Sequence, residues 1–206
     1  MDNPFLRRSF HIPWSQLTAD RVQPAIEAAL ADAEAALARI TALPVDQANY
    51  ENAFLALEQS TELLNESWAK VTHLQSVADS APLREAHNAM LPKVSAFFAK
   101  IPLNADLWAR LKSAAARPEA AGLTGEHRRF LDETLADFRQ QGADLPAGPK
   151  ARLEAVQSEL AQLTQKYSEN VLDATNAWEL LVTDPARLRG LPEHARESAR
   201  QTPARR

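Results

Sequence analysis

The chain has 206 residues, of which 45% are hydrophobic, so it is long enough and apolar enough to bury a sizeable core. It contains no cysteine, which excludes disulfides, thiolate metal sites and thiol nucleophiles. No apolar run approaches the roughly 20 residues of a membrane helix, and the first ten residues lack the apolar stretch of a signal peptide. We therefore expect a soluble, cytoplasmic protein without a membrane partner.

Charge is distributed unevenly along the chain, whose formal net charge is −4. Residues 1–183 carry 17 basic and 24 acidic side chains, whereas residues 184–206 carry six arginines and three acidic residues. The acidic body disfavours a nucleic-acid partner. We interpret the arginine-bearing end as a solvated terminus, which is the usual role of a short charged tail.

Most of the sequence has the apolar spacing of amphipathic helices. Residues 1–17 differ, because prolines and the aromatic residues Phe5, Phe10 and Trp14 predict an extended arm held to the surface by its rings. Beyond this arm, apolar residues recur three and four positions apart. They predict helices over about 23–42, 49–79, 80–101, 104–115, 124–141 and 148–176, and a short one over 192–200.

Residues that commonly start, stop or kink helices support these boundaries. Gly142 is a natural stop for the fifth predicted helix. Pro92 lies inside the third, where a missing hydrogen bond and a steric clash predict a kink that costs about 3 kcal/mol. Side chains that can cap a helix start precede five of the predicted helices, namely Thr18, Asn49, Ser80, Asn104 and Thr124.

The second and sixth predicted helices carry continuous apolar stripes with coiled-coil-like spacing. Such a stripe fits antiparallel packing within one bundle or pairing with a partner helix, and we favour the bundle. The stripes are formed by Phe54, Leu57, Leu64, Trp68 and Val71 in the second helix and by Leu153, Val156, Leu160, Leu163, Tyr167 and Val171 in the sixth.

One segment, Trp178 to Thr183, has a mildly β-like composition. A lone strand cannot satisfy its own backbone, so the segment either pairs with something outside this chain or serves as an extended connector. The predicted fold class is therefore all-α, an antiparallel helical bundle of about six to seven helices with at most one short isolated strand near the C-terminus.

Sequence motifs for catalysis are missing. The five histidines are far apart, and neither a His-Glu-x-x-His motif nor a Glu-x-x-His pair is present, so no zinc or di-metal site is predicted. His194 and Glu197 are three residues apart and are interpreted as a solvated pair. Glycine-rich phosphate loops are also missing. We predict no catalytic, cofactor-binding or metal-binding residue, and we assign the four tryptophans, Trp14, Trp68, Trp108 and Trp178, to core packing.

A series of ordered sequence blocks nevertheless resembles the thimet oligopeptidase family of zinc metallopeptidases, and oligopeptidase A-like members in particular. One block is SENVLDATNAW at residues 168–178, and the ordered blocks together are far more specific than any one of them. The resemblance extends over about residues 3–200. The other blocks are NPFL at 3–6, VQPAI at 22–26, VTHLQSV at 71–77, LREA at 83–86, LP at 91–92, VTD at 182–184 and GLPE at 190–193.

This resemblance implies an amino-terminal, helical part of a longer enzyme that cleaves short peptides in a deep channel. Family members are roughly three times as long, and they hold zinc with a His-Glu-x-x-His helix and a later glutamate in the carboxy-terminal half. Those positions are not present in this chain, so the resemblance implies no zinc, no water activation and no catalytic residue here. The expected partners are short peptides and the missing catalytic domain.

From the resemblance we expect an arm at 1–17, a channel-wall domain at 18–177, and an extended segment, terminal helix and basic tail at 178–206. In the family, the segment at 178–183 would pair with backbone further along the chain, so we expect an exposed edge or a disordered segment there. Residues 201–206 depart from the family, which suggests a truncated or frame-shifted gene product or a cloning boundary. The alternative hypothesis is a free-standing helical interaction module.

Overall fold

The computed structural model describes residues 3–201, and within this range the protein is all-α, as predicted, with eight α-helices and no strand. Short 3-10 turns precede the first helix at Pro4–Leu6, Trp14–Gln16 and Ala19–Arg21. The helices are α1 (Val22–Thr41), α2 (Ala56–Val77), α3 (Ala81–Lys100), α4 (Ala105–Ala115), α5 (Pro118–Ala121), α6 (Gly125–Gln140), α7 (Ala147–Ala177) and α8 (Glu193–Gln201).

Local signals position most helix ends as the sequence predicts. The side chains of Asn49, Ser80 and Asn104 each accept a hydrogen bond from a backbone N–H in the first turn of the helical segment that follows. Asn49 caps a π-helical segment, Tyr50–Leu55, that leads into α2. The predicted side-chain caps at Thr18 and Thr124 are wrong, because neither side chain makes a capping hydrogen bond.

The end of α6 has a defined glycine stop. Gly142 adopts φ +98°, in the region that favours glycine, and donates its N–H to Arg139. The next N–H, from Ala143, bonds to the carbonyl of Phe138 at 2.9 Å. These two bonds form a Schellman motif, which confirms the predicted stop.

Two apolar clusters form the core. The first joins Phe5 of the arm with α1, α2 and α3, and includes Ile26, Leu64 and Met90, all fully buried. The second joins the end of α1 and the Tyr50–Leu55 segment with α4, α5 and α6, and includes Phe54, Leu107 and Leu131. Helix α3 is continuous through Pro92, and the kink there remains a prediction.

The chain divides into two compact units, Met1–Thr164 and Gln165–Arg206, and the division falls within α7. Both apolar clusters belong to the first unit. The second unit contains the C-terminal part of α7, a 3-10 turn at Pro185–Leu188 and α8. Residues 202–206, the end of the predicted basic tail, lie outside the described residues.

Two predictions of packing are wrong. Phe10 does not hold the arm, because its side chain is 96% exposed, whereas Phe5 is buried as predicted. The α7 stripe does not pack into a bundle, since its apolar residues from Val156 to Val171 are exposed. Trp178–Thr183 has no regular structure, which agrees with the extended connector, one of the two alternatives predicted for this segment. The four-residue helix α5 was not predicted, because so short an element has no periodicity.

Candidate functional site

A cleft of about 530 Å³ lies between the arm and α2 in the first unit. Its wall includes Arg8, Ile12, Trp14, Glu66 and Lys70. The side chain of Trp14 is partly exposed, and its ring centroid lies 5.0 Å from that of His73 on α2. The cleft therefore combines apolar rings with both signs of charge.

Lys70 is the buried cation beside this cleft. Its Nζ donates to the carbonyl oxygens of Phe5 and Arg7, both at 2.8 Å, and Ser67 Oγ donates to the same Phe5 oxygen at 3.1 Å. Burial lowers the pKa of the Lys70 ammonium, and this effect outweighs the opposing attraction of Glu66. Two of its three donors are used to hold main-chain carbonyls, so Lys70 anchors the arm on α2.

An ion-pair network closes the outer side of the same arm. Arg8 contacts Glu62 at 2.9 Å and Glu66 at 2.8 Å, and the hydrogen bond that the guanidinium donates to Glu66 is the largest of the effects that raise its pKa. The three side chains are about half exposed, so solvent screens their attraction. Lys70 therefore supplies the stronger attachment, and the arginine network reinforces it.

The histidines are separated in the structure and take different roles. The ring of His87 is buried and stacks on Trp68 with centroids 4.8 Å apart. His127 Nδ1 lies 3.1 Å from Tyr50 Oη. Within residues 3–201 no three histidine, aspartate or glutamate side chains come together in a group that could hold a metal ion. These residues therefore do not fit a zinc site like that of the family that the sequence resembles.

The C-terminal helix gives Glu197 other partners than the predicted histidine. Glu197 accepts a hydrogen bond from Gln201 Nε2 at 3.0 Å and lies 3.8 Å from Arg200. His194 occupies the same helix, α8, in a part of the chain without buried hydrophobic side chains among the residues described.

The tryptophans follow the predicted core role in two of four cases. Trp108 is buried, stacks on Phe138 and donates from Nε1 to Asp144 at 2.8 Å. Trp68 packs against the first apolar cluster. Core packing is the wrong assignment for Trp14 and for Trp178, whose side chains are exposed.

The exposed apolar residues concentrate near the C-terminal end. They lie on one helical face of α7, at intervals of three and four residues, and in the connector that follows it. Sequence reasoning identified the stripe, but not that it faces solvent. Its members are Val156, Leu160, Leu163, Tyr167 and Val171 on α7, with Trp178, Leu180 and Leu181 in the connector.

Among the described residues, no helix is both long enough and apolar enough to cross a lipid bilayer.

Comparison with known proteins identifies the chain's relatives. Residues 24–150 match the family domain described as "Neurolysin/Thimet oligopeptidase, N-terminal domain". The chain is 31% identical over 202 residues to oligopeptidase A of Haemophilus influenzae and 32% identical over 200 residues to oligopeptidase A of Escherichia coli. It is 27% identical over 193 residues to a probable cytosolic oligopeptidase A of Arabidopsis thaliana.

These matches cover nearly all of this chain but only a part of each relative. The aligned segments are 98%, 97% and 94% of this chain, and 29%, 29% and 27% of the respective relatives. The matched range of residues 24–150 contains helices α2 to α6 and all but the first two residues of α1, and these helices supply most of the two apolar clusters. The chain therefore belongs to the neurolysin/thimet oligopeptidase family, and it is the N-terminal portion of an oligopeptidase A-like protein.

Proposed function

We propose that this chain is the non-catalytic N-terminal wall of the substrate channel in an oligopeptidase A-like zinc peptidase that cleaves short peptides. The observation that carries the proposal is the match of residues 24–150 to the family's N-terminal domain, in a chain that spans 29% of its bacterial relatives. The apolar clusters that would make this wall a stable body lie in the first compact unit.

The role of a wall is selection by size. A narrow channel between two rigid bodies admits an unfolded peptide and excludes a folded protein, because a folded chain cannot enter without unfolding. Rigidity is what this function needs from the chain. Helix α2 supplies part of it, since Ser67 and Lys70 fix the arm while Leu64 and Val71 pack against α1 and α3.

Zinc and the water-activating group belong to the rest of the enzyme in this proposal. Within residues 3–201 the histidines do not fit a metal site, and four of the five rings pack against aromatic neighbours such as Trp68 and Tyr50. We assign no catalytic residue to the chain. The absence of cysteine and the cytosolic name of one relative support a cytoplasmic location.

A chimera tests the proposal. The chain replaces the matched 29% of Haemophilus influenzae oligopeptidase A, and hydrolysis of a short quenched peptide is measured with and without chelator. We expect the isolated chain to be inactive even with added zinc. The chimera should hydrolyse the short peptide, lose this activity with chelator, and leave the same sequence uncut inside a folded protein. Chelator-sensitive hydrolysis by the isolated chain would refute the proposal.

The second candidate is a free-standing interaction module, and the exposed α7 stripe is the observation that favours it. The DNA sequence downstream of the codon for residue 206 distinguishes the two candidate functions. A His-Glu-x-x-His sequence downstream of residue 206, in frame or shifted, supports a peptidase, whereas an unrelated neighbouring gene supports the module.

A further inference from the structure

The second compact unit, Gln165–Arg206, lacks an apolar core among its described residues. The last buried hydrophobic residue in the described chain is Ala143, and the one buried residue of α7 is the charged Glu169. Ordering a backbone costs conformational entropy that burial of apolar surface normally offsets. This unit therefore needs apolar surface from elsewhere to be stable.

The unit and the helix that leads into it offer a large apolar surface for that purpose. Leu160 is 60% exposed and Leu181 is 83% exposed, although both are residue types that favour burial. We call the following residues the C-terminal apolar surface: Val156, Leu160, Leu163, Tyr167 and Val171 on α7, and Trp178, Leu180 and Leu181 in the connector.

Helix α8 has no side chains suited to cover this surface. Its nine residues, EHARESARQ, contain alanine as their one apolar residue type, and its other side chains are charged or polar. The connector that precedes α8 contributes Trp178 and Leu181 to the exposed set instead of burying them. The covering group must therefore come from outside residues 3–201.

The length of the relatives indicates which polypeptide would cover the C-terminal apolar surface. The chain spans 29% of them, and the match to their N-terminal domain ends at residue 150, immediately before the exposed part of α7. We propose that the C-terminal apolar surface is the docking site for the polypeptide that follows this portion in the relatives. Helix α7 beyond about residue 155 then belongs to the core of the next domain rather than to the wall. This inference rests on the proposed function.

Hydrogen exchange on the isolated chain and on the chimera described above tests the docking site. In the isolated chain, the amides of residues 165–177 should exchange rapidly, because no apolar contact protects that part of α7. In the chimera they should exchange about 100-fold more slowly, since opening the helix would expose several buried apolar side chains. Light scattering on the isolated chain records whether it self-associates.

Substitutions separate this surface from other exposed apolar residues. The double variant Leu163→Gln/Leu181→Gln should remove the protection gained in the chimera and leave the isolated chain unchanged. Val77→Gln is the matched control, because Val77 is also an exposed helical residue but lies at the end of α2. It should leave the protection in the chimera intact.

The results contradict the inference if α7 exchanges equally fast in the chimera and in the isolated chain. They also contradict it if the isolated chain is a dimer whose protection the double variant removes, because a second copy would then occupy the surface. Activity is a separate readout. A protected but inactive chimera refutes the proposed function alone, and an active chimera with an unprotected α7 refutes the docking site alone.

Discussion

Helices α2 and α7 carry apolar stripes with the same spacing, yet only the first is covered. In α2, Leu64 and Val71 are fully buried against α1 and α3. In α7, Leu160 and Leu163 occupy equivalent positions of their stripe and face solvent. Periodicity therefore shows which face of a helix can be buried, and the availability of a partner decides whether it is.

The difference follows from what each helix has near it in the chain. The connection from α2 to α3 is only residues 78–80, and a short connection brings consecutive helices together. Helix α3 offers Met90, Val94 and Phe97 to the same apolar cluster as α2. After α7, the chain offers a connector with exposed side chains and then a helix of charged and polar residues.

The largest predicted effect compares the two stripes by the same substitution. Leu64→Ala should lower the free energy of unfolding by about 2–5 kcal/mol, because it leaves a cavity in the core. Leu160→Ala should change it by less than about 0.5 kcal/mol, because the side chain is already largely solvated. Urea denaturation of the isolated chain measures both, and equal losses would show that the α7 face is covered.

The second prediction concerns the polar attachment on α2. Lys70→Met should lower the free energy of unfolding by about 1–3 kcal/mol, because two main-chain carbonyls lose a hydrogen-bond donor. The carbonyl of Arg7 loses the Lys70 donor, and that of Phe5 keeps only Ser67 among the donors described above. Release of the arm should also speed tryptic cleavage after Arg7 and Arg8.

Lys166→Met is the matched control for Lys70→Met, because Lys166 is an exposed lysine on α7. It should leave both stability and the rate of cleavage unchanged. Equal cleavage of the arm in the two variants would mean that Lys70 does not anchor it.

The third prediction concerns the turn that leads into α7. Gly142→Ala should lower the free energy of unfolding by about 1–2 kcal/mol, because φ is +98° at this position and residues other than glycine rarely adopt such a backbone conformation. A Cβ would also lie 2.8 Å from Leu145 Cδ1 and 2.9 Å from Leu153 Cδ2. Gly148→Ala, in the first turn of α7, meets no atom within 4 Å and should be neutral or stabilising by about 0.5–1 kcal/mol. Thermal unfolding of both variants checks this contrast, and the reverse order would contradict it.

The smallest predicted effect is on a titration. The pKa of the Glu27 carboxyl is lowered from its ordinary 4.5, mainly by the hydrogen bond that Lys93 donates to it. A second hydrogen bond, from Gln23, lowers it further. A lowered folded pKa stabilises the fold above pH 4.5, and this contribution is lost as the pH falls through the folded value. Lys93→Gln should raise the pKa of Glu27 in an NMR titration, whereas Lys112→Gln should not. An unchanged pKa in Lys93→Gln would refute the pairing.

Features set by nearby residues were predictable from sequence. The caps Asn49, Ser80 and Asn104 and the glycine stop at Gly142 act within one turn of the residues that they satisfy. The burial of individual rings was less predictable. Phe5 is buried and Phe10 is exposed, although both belong to the same arm, because the hydrogen bonds of Lys70 and Ser67 fix only the Phe5 end.

The candidate surface shows the same limit. The stripe of α7 was visible as a pattern, but a pattern of apolar residues is the same whether a neighbour covers it or not. The arm site was not predicted at all. Lys70 lies 65 residues from Phe5 in sequence, and no local rule links a helical lysine to a distant carbonyl.

By itself, the sequence determined the all-α class, most helix boundaries, the family and the lack of the family's catalytic motif, because each depends on residues close together in the chain or on their order. Tertiary structure decided which apolar faces are buried, how the arm is held and where the chain leaves an uncovered surface. Those features depend on contacts between residues that are distant in sequence, which a local pattern of apolar residues does not specify.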